Sequence, residues 1–448
     1  MIVSRHISPA DFGIASMVLG FVAFLVLFDT GLTWATVQSP RLNKDTVDSL
    51  FAAGILLGLT LWLGSALAAP ALAHFYDQPQ LIAATVVMGG AVFLNSLTTQ
   101  PAALLKRQLR QRATNGVDTA ALVVSSALAV GLALAGFKYW ALIAQAVSMQ
   151  AARTALLFSY SGYRPSMPRS LKPAMRELRL GGTLALSNYV GYFQLYLGGI
   201  IVGHYFGGAL LGNYQRAYGV KSMPTTYGTM LVTDVMVSSL AALYSDKQRF
   251  GEAYLKALRL TAFVGCPAGA ALLPLSGEII WILFGPRWTG VPPLLEWYTL
   301  AAVALPITTS TIWLFLASGN ARQQLRMNVF LTAISIFFML GAAYYGRSVA
   351  SIVAMESILF AGPYLLVNLV MSHRAVGLPL APTIRVIAPL VAGSLVSAGL
   401  AWLVGQSMQD IDWRLTFGAK LMVGGISYLA FCAVFADKLP LNITVFRR

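Results

Sequence analysis

Charge is what this chain is short of. Of its 448 residues only 10% are Asp, Glu, Lys or Arg, while 57% are apolar and the mean hydropathy is +0.70. A soluble domain carries about 25% charged residues, so the deficit excludes a water-solvated globule and points to a chain embedded in lipid. Cysteine is scarcer still. Cys266 and Cys432 both lie inside apolar runs, which rules out a disulfide framework and leaves no metal-ligand spacing. The four histidines, His6, His74, His204 and His373, sit at the ends of apolar runs and show no such spacing either. Neither a phosphate-cradling glycine loop nor a nucleophile elbow is present. The chain is therefore expected to be no enzyme and to use no cofactor.

What is present is long apolar runs separated by short basic clusters. The net charge of +15 would suit nucleic acid only if it formed a face or a tract. It forms neither, and no nucleic-acid partner is expected. A membrane-spanning helix needs roughly 20 mostly apolar residues. On that measure the sequence predicts about 13 spans: 12–36, 49–71, 81–97, 117–136, 140–160, 181–203, 213–244, 260–284, 291–317, 327–345, 349–372, 384–405 and 416–435. Sorting the 31 Lys and Arg between alternate connections puts roughly 22 on one side and 5 on the other. Basic residues mark the cytoplasmic side, because they resist translocation. The net charge is thus a topology signal, and it places the C-terminus in the cytoplasm. Counting 213–244 as a span, despite its polarity and Pro224, preserves the asymmetry.

A repeat organises the spans. Residues 2–13, IVSRHISPADFG, align without a gap on residues 201–212, IVGHYFGGALLG, a spacing of 199. Ile, Val, Ala and Gly are identical, small residues match small, and large apolar residues match large apolar. Each copy is a turn on the lightly charged side followed by a long span. A full span precedes the second copy and almost nothing precedes the first, so Ile2, Val3 and Ser4 read as the stub of an incomplete first helix. The expected architecture is an all-α integral membrane protein of two six-helix lobes related by a pseudo-twofold, plus two C-terminal helices. Its expected divisions are an N-terminal lobe at 1–160, a basic cytoplasmic linker at 161–180, a C-terminal lobe at 181–373 and two extra spans within 384–437. Repeats of this size recur in transporters.

The stretch SRHISPADFGIASM, at 4–17, resembles the Arg-x-Leu-Ser-Pro-x-Asp-Phe-Gly opening of the Wzx-type polysaccharide (O-antigen and exopolysaccharide) flippases. FDTGLTWATVQ at 28–38, QPAALLKRQLR at 100–110, LGNYQRAY at 211–218 and FGPRWTG at 284–290 are similar to that family's motifs. The superfamily also holds the multidrug and toxin extrusion (MATE) antiporters and the lipid II flippases. In two respects the chain departs from the family pattern: the complete first helix, and an Asn-x-Asp pair in the seventh, whose places hold Tyr196 and Gly198. The resemblance implies an inner-membrane transporter that turns an undecaprenyl-pyrophosphate-linked oligosaccharide across the membrane by alternating access, for lipopolysaccharide or exopolysaccharide assembly. The saccharide head would cross while its lipid tail stays in the bilayer, with the last two helices flanking the core. Membrane lipids and the polysaccharide polymerase machinery are the other candidate partners. The alternative is a cation-coupled, MATE-like multidrug antiporter.

Ionisable residues inside spans are rare and usually functional. A pyrophosphate carrier needs fixed positive charge, since a bare anion in hydrocarbon is costly. Lys221, about two turns into its helix, is the leading candidate. It shares a face with Tyr214, Tyr218 and Thr225 at helical spacing. Arg216, about 140° round the helix, and Arg153 either line the passage or snorkel to the interface. Tyr189, Tyr192 and Tyr196, with Asn188, form a second tyrosine face that either stacks on sugar or packs between helices. Asp234, Glu356 and Asp29 are the candidates for ion coupling. For Asp29 a structural role as a cap or an ion-pair partner is the competing reading.

Overall fold

The computed structural model describes residues 2–38, 43–168, 170, 172–408 and 410–434; for 29–35, 37–38, 172–188, 190, 194, 225–232, 234 and 321 it describes the backbone alone. These residues form helices joined by short turns, and among them there is no strand. Contacts divide the chain into two compact units, Met1–Gly212 and Asn213–Arg448.

The first unit begins with a short helix α1 (Ile2–His6) and a long one, α2 (Pro9–Gln38). The Ser-Pro-Ala-Asp stretch between them is a helix start. The Ser8 hydroxyl accepts the Asp11 amide at 3.1 Å and donates to the Asp11 carboxylate at 2.5 Å, with Pro9 as the first helical residue. Proline suits that position because its missing N–H would have had no partner there, and the reciprocal Ser–Asp contact satisfies an orphan donor. Helices α3 (Lys44–Tyr76), α4 (Leu81–Arg107), α5 (Gln111–Leu134) and α6 (Trp140–Ser161) follow. α4 packs against α2, α3 and α6, and α5 packs against α6.

Helix α7 runs over Lys172–Leu243 and is broken at Gly207, whose φ of 78° and ψ of −179° belong to glycine alone. The break is sharp. A Cβ on Gly203 would lie 3.2 Å from the Leu211 side chain, whereas a straight helix holds residues eight apart about 12 Å from each other. The expected spans 181–203 and 213–244 therefore extend toward each other until only the glycine separates them. The second copy of the repeat packs on the first. A Cβ on Gly13 would lie 1.7 Å from the Gly208 carbonyl oxygen, and one on Gly212 would lie 2.0 Å from that of Pro9. Shifting 9 and 13 by the repeat spacing gives 208 and 212, so the two contacts exchange places under the repeat.

The second unit contains the rest of α7, then α8 (Lys247–Ala270) and α9 (Leu272–Phe284). The stretch expected as one span at 260–284 is a pair of helices bent by 71° at Ala271. Pro274 supplies the reason: a proline cannot donate to the carbonyl four residues earlier, here that of Ala270, where α8 ends, and its ring has no room beside that carbonyl in a continuous helix. α10 (Pro292–Ala317) packs on α8, followed by α11 (Ala321–Gly346). A further helix has an α segment α12 (Val349–Leu359), five π-helical residues (Phe360–Tyr364) holding Pro363, and an α segment α13 (Leu365–Val376). The last two helices, α14 (Leu380–Ser407) and α15 (Trp413–Val434), pair with each other, and both reach α9. Lys420 of α15 meets Glu278 of α9 at 2.5 Å, and the Trp281 and Trp413 rings lie 4.7 Å apart.

Eleven described helices are long and apolar enough to cross a membrane, or twelve if the bent pair counts as one span. The sequence predicts about 13, taking the two limbs of α7 on either side of Gly207 as separate spans; among the described residues these limbs form one run, Leu195–Pro224. Large apolar side chains such as Leu67, Phe337, Met422 and Leu429 stand on the outside of their units, mostly exposed. Faces of that kind match hydrocarbon rather than water.

Candidate functional site

The densest buried polar cluster among the sequence-selected residues is in the second unit. Tyr214, Tyr218 and Lys221 recur at helical spacing and do share a face of α7. Facing them are Tyr298 of α10 and Glu356 of α12. The Lys221 ammonium lies 3.4 Å from Glu356 Oε1, and it sits over two rings, 3.8 Å from the Tyr218 centroid and 4.3 Å from that of Tyr298. The other carboxylate oxygen of Glu356 accepts two phenols, Tyr298 at 2.7 Å and Tyr214 at 3.0 Å. Tyr214, Tyr298 and Lys221 are buried, and Glu356 is the least covered of the four, its side chain 20% exposed.

Each contact answers a cost. A lone ammonium or carboxylate in an apolar helix bundle is expensive, and a pair is tolerated when further hydrogen bonds complete it. The phenols complete the carboxylate. The ring faces, negative at their centres, complete the ammonium. Tyr298 was not among the residues selected from sequence. In the run LLEWYTLAAVALP it reads as one more aromatic of an apolar helix, and only the packing of α10 against α12 shows its hydroxyl to be a donor.

The other sequence candidates stand elsewhere. The Arg216 guanidinium carbon lies 4.5 Å from the Phe284 ring centroid and 5.1 Å from that of Trp288. Arg153, in the first unit, pairs with Asp118 of α5 at 2.8 Å. Tyr189, Tyr192 and Tyr196 form an aromatic group on α7 against α2: Phe24 lies 5.3 Å from Tyr189 and 5.4 Å from Tyr192, and Tyr192 stacks on Tyr196 at 4.6 Å. The Tyr192 hydroxyl donates to the Gly20 carbonyl at 2.6 Å. The side chains of Asn188, Thr225, Asp234 and Asp29 lie outside the described residues.

A second polar cluster ties the chain after α6 to the start of α3. The buried Asp48 carboxylate accepts the Tyr163 hydroxyl at 2.6 Å and the Ser166 hydroxyl, and Ser49 donates to the Ser170 carbonyl at 2.8 Å. Burial, and donation to a carboxylate, push the Tyr163 phenol well above its ordinary range. The basic linker expected at 161–180 is thus held by side-chain contacts along its described first part. A groove of about 1120 Å³ in the second unit is lined by Asn320, Arg322, Arg326, Phe330 and Met371 among others, and Lys221 takes no part in it.

The family model described as "Polysaccharide biosynthesis protein" matches residues 2–293. The chain belongs to this family. Among its relatives, lipopolysaccharide biosynthesis protein WzxC of Escherichia coli K12 is 22% identical over 342 residues, which are 75% of this chain and 69% of WzxC. Succinoglycan biosynthesis transport protein ExoT of Rhizobium meliloti is 25% identical over 69% of this chain and 63% of its own length. Teichuronic acid biosynthesis protein TuaB of Bacillus subtilis is 21% identical, over 66% and 62%. The chain thus spans about two thirds of the length of these polysaccharide biosynthesis proteins. In fold it resembles the lipid II flippase MurJ in an inward closed conformation, with a TM-score of 0.78 and 16% identity over 98% of this chain and 95% of that one. It also resembles an inward-facing multidrug MATE transporter of the MOP superfamily, with a TM-score of 0.68 and 12% identity over 84% and 92%. The all-helical membrane fold expected for this polysaccharide biosynthesis protein is therefore the one it has.

Proposed function

We propose that this polysaccharide biosynthesis protein carries an undecaprenyl-pyrophosphate-linked oligosaccharide across the cytoplasmic membrane by alternating access, in the assembly of a surface polysaccharide. The observation that carries the reading is the family match over residues 2–293. Its relatives are named for three different polymers, a lipopolysaccharide, succinoglycan and teichuronic acid. A lipid pyrophosphate carrying a saccharide is the chemistry such polymers can share. In this reading the basic side of the membrane protein is cytoplasmic, and the C-terminus lies there.

The proposal places the pyrophosphate on Lys221, alone among the three cations selected from sequence. Lys221 has a compact charge and three N–H donors, and two phenols stand beside it. Arg153 and Arg216 are engaged in other surroundings. The competing reading, export of cationic drugs, wants net negative charge at the buried site. The Lys221–Glu356 pair is balanced, and its rings already hold the protein's own cation.

Reconstitution tests the proposal. Proteoliposomes containing the chain should move a fluorescent undecaprenyl-pyrophosphate disaccharide to the far leaflet, where a membrane-impermeant quencher removes its signal. Liposomes with the protein should lose the protected fraction with time, and empty ones should retain it. Equal retention in both contradicts the reading.

A further inference from the structure

Glu356 does more than neutralise Lys221, because the groups around it form an anion site. Three donors converge on one carboxylate: the phenols of Tyr214 and Tyr298 on Oε2, and the Lys221 ammonium on Oε1. The donors come from two helices, α7 and α10. The acceptor comes from a third, α12. Taking the carboxylate away leaves two O–H groups directed at one point and an ammonium beside it, around the space the two oxygens filled. A phosphate oxygen accepts from the same donors.

The contacts are unequal in the way a replaceable occupant requires. Charge-assisted N–H···O contacts are usually about 2.7–2.9 Å, while the Lys221–Glu356 contact is 3.4 Å. The ammonium also rests over the Tyr218 ring, 3.8 Å from its centroid, so the carboxylate is not its sole support. The donors Tyr214, Tyr298 and Lys221 are buried, whereas Glu356 is partly exposed. Glu356 also lies one turn before the π-helical residues Phe360–Tyr364, where Pro363 removes one more backbone donor. π-helical turns inside α-helices are rare and concentrate at functional sites. This one separates α12, which carries Glu356, from α13, whose Asn368, Leu369, Ser372 and His373 are buried. The π-helical residues thus interrupt regular helical bonding between the segment bearing Glu356 and that packing.

We propose that Glu356 is a resident anion, filling a phosphate site made by Lys221, Tyr214 and Tyr298, and that the pyrophosphate of the lipid-linked saccharide displaces it. The inference rests on the transport reading above and adds the exchange: the site is occupied by carboxylate or by phosphate, never by both. Tight binding of substrate is opposed by the protein's own acid, which returns when the substrate leaves and so favours release. The displaced carboxylate turns out of the site and is hydrated or takes up a proton.

The test is binding of undecaprenyl pyrophosphate to the purified full chain in detergent micelles, with undecaprenol as the control that lacks phosphate. Glu356→Gln keeps the shape and an acceptor for the phenols but removes the competing charge. It should bind the pyrophosphate about tenfold more tightly, in line with loss of one charged hydrogen-bonding competitor, and leave undecaprenol unchanged. Glu356→Asp, which withdraws the carboxylate by one methylene, should tighten binding by a smaller factor and covers the case in which Glu356→Gln does not fold. The neutral pair Lys221→Met with Glu356→Gln should bind at least tenfold more weakly than Glu356→Gln alone. Folded variants that bind no more tightly than the parent overturn the exchange and leave the transport reading standing. A neutral pair that binds as tightly as Glu356→Gln removes Lys221 from the phosphate site. A parent chain that binds neither lipid at saturating concentration overturns both the exchange and the reading beneath it.

Discussion

Lys221 and Glu356 lie 135 residues apart in sequence, and either alone would be a poor occupant of an apolar bundle. Breaking a buried pair by removing one partner costs about 3–5 kcal/mol, whereas replacing both by apolar groups is often neutral. Lys221→Met should therefore lower the stability of the purified chain by that amount, and adding Glu356→Leu should restore most of it. Thermal unfolding in micelles reads both, and additive losses would show that the two residues do not act as a pair. Tyr298→Phe removes the 2.7 Å donor to the carboxylate and should cost about 1.5–3 kcal/mol, the usual range for a hydrogen bond to a charged group. Arg153 gives the contrast. Its partner Asp118 is 41% exposed, and solvent-exposed pairs contribute about 0–1 kcal/mol; Asp118→Asn should leave the unfolding midpoint nearly unchanged. Part of this site could be read from sequence. The face of Tyr214, Tyr218 and Lys221 follows from helical periodicity, and Glu356 stands out as an acid within an apolar run. Their meeting could not be read, nor the part played by Tyr298, because both depend on how α7, α10 and α12 pack.

At the scale of elements, the apolar runs were legible and their interruptions less so. Hydropathy shows no break across 260–284, because a proline bend changes direction without adding charge, and the 71° turn before Pro274 passes unnoticed in a count of apolar residues. The Ser-Pro-Ala-Asp start of α2 was visible as a motif, and the structure supplies its reason in the Ser8–Asp11 cap. The repeat was visible too. Its physical content is the close crossing of the two copies, where backbone atoms leave no room for a side chain at Gly13 or Gly212. Small residues permit such approach between membrane helices. Gly13→Ala and Gly212→Ala should each reduce the amount of folded chain recovered from membranes. Because both open the same crossing, the double variant should lose less than the sum of the two. Gly207→Ala meets a different obstacle, a backbone conformation closed to side chains, and should cost about 1–3 kcal/mol. Fluorescence-detected size exclusion after a heating series distinguishes these outcomes. A Gly207→Ala chain as stable as the parent would mean that the break is not held at that residue.

For the whole molecule, the shortage of charge and the one-sided distribution of Lys and Arg carried the reading furthest. Together they indicated a multi-pass membrane chain, and the fold similarity to MurJ, with a TM-score of 0.78, agrees. The saccharide was not legible, because no residue pattern in a loose transporter motif encodes a sugar. The orientation proposed here has its own check. Cys266 and Cys432 are both buried, so the parent chain should resist a membrane-impermeant maleimide. Against that quiet background Arg347→Cys should label from outside intact cells and Arg374→Cys only after the membrane is opened; the reverse pattern inverts the topology. Cargo is tested in the cell that makes this protein. With the gene deleted, lipid extracts are analysed for undecaprenyl-pyrophosphate oligosaccharide alongside surface polysaccharide. The lipid-linked oligosaccharide should accumulate inside the cell and the polymer should disappear from the surface, both reversed by the intact gene. Normal polysaccharide with no accumulated lipid intermediate, together with a fall in resistance to cationic dyes, would contradict it.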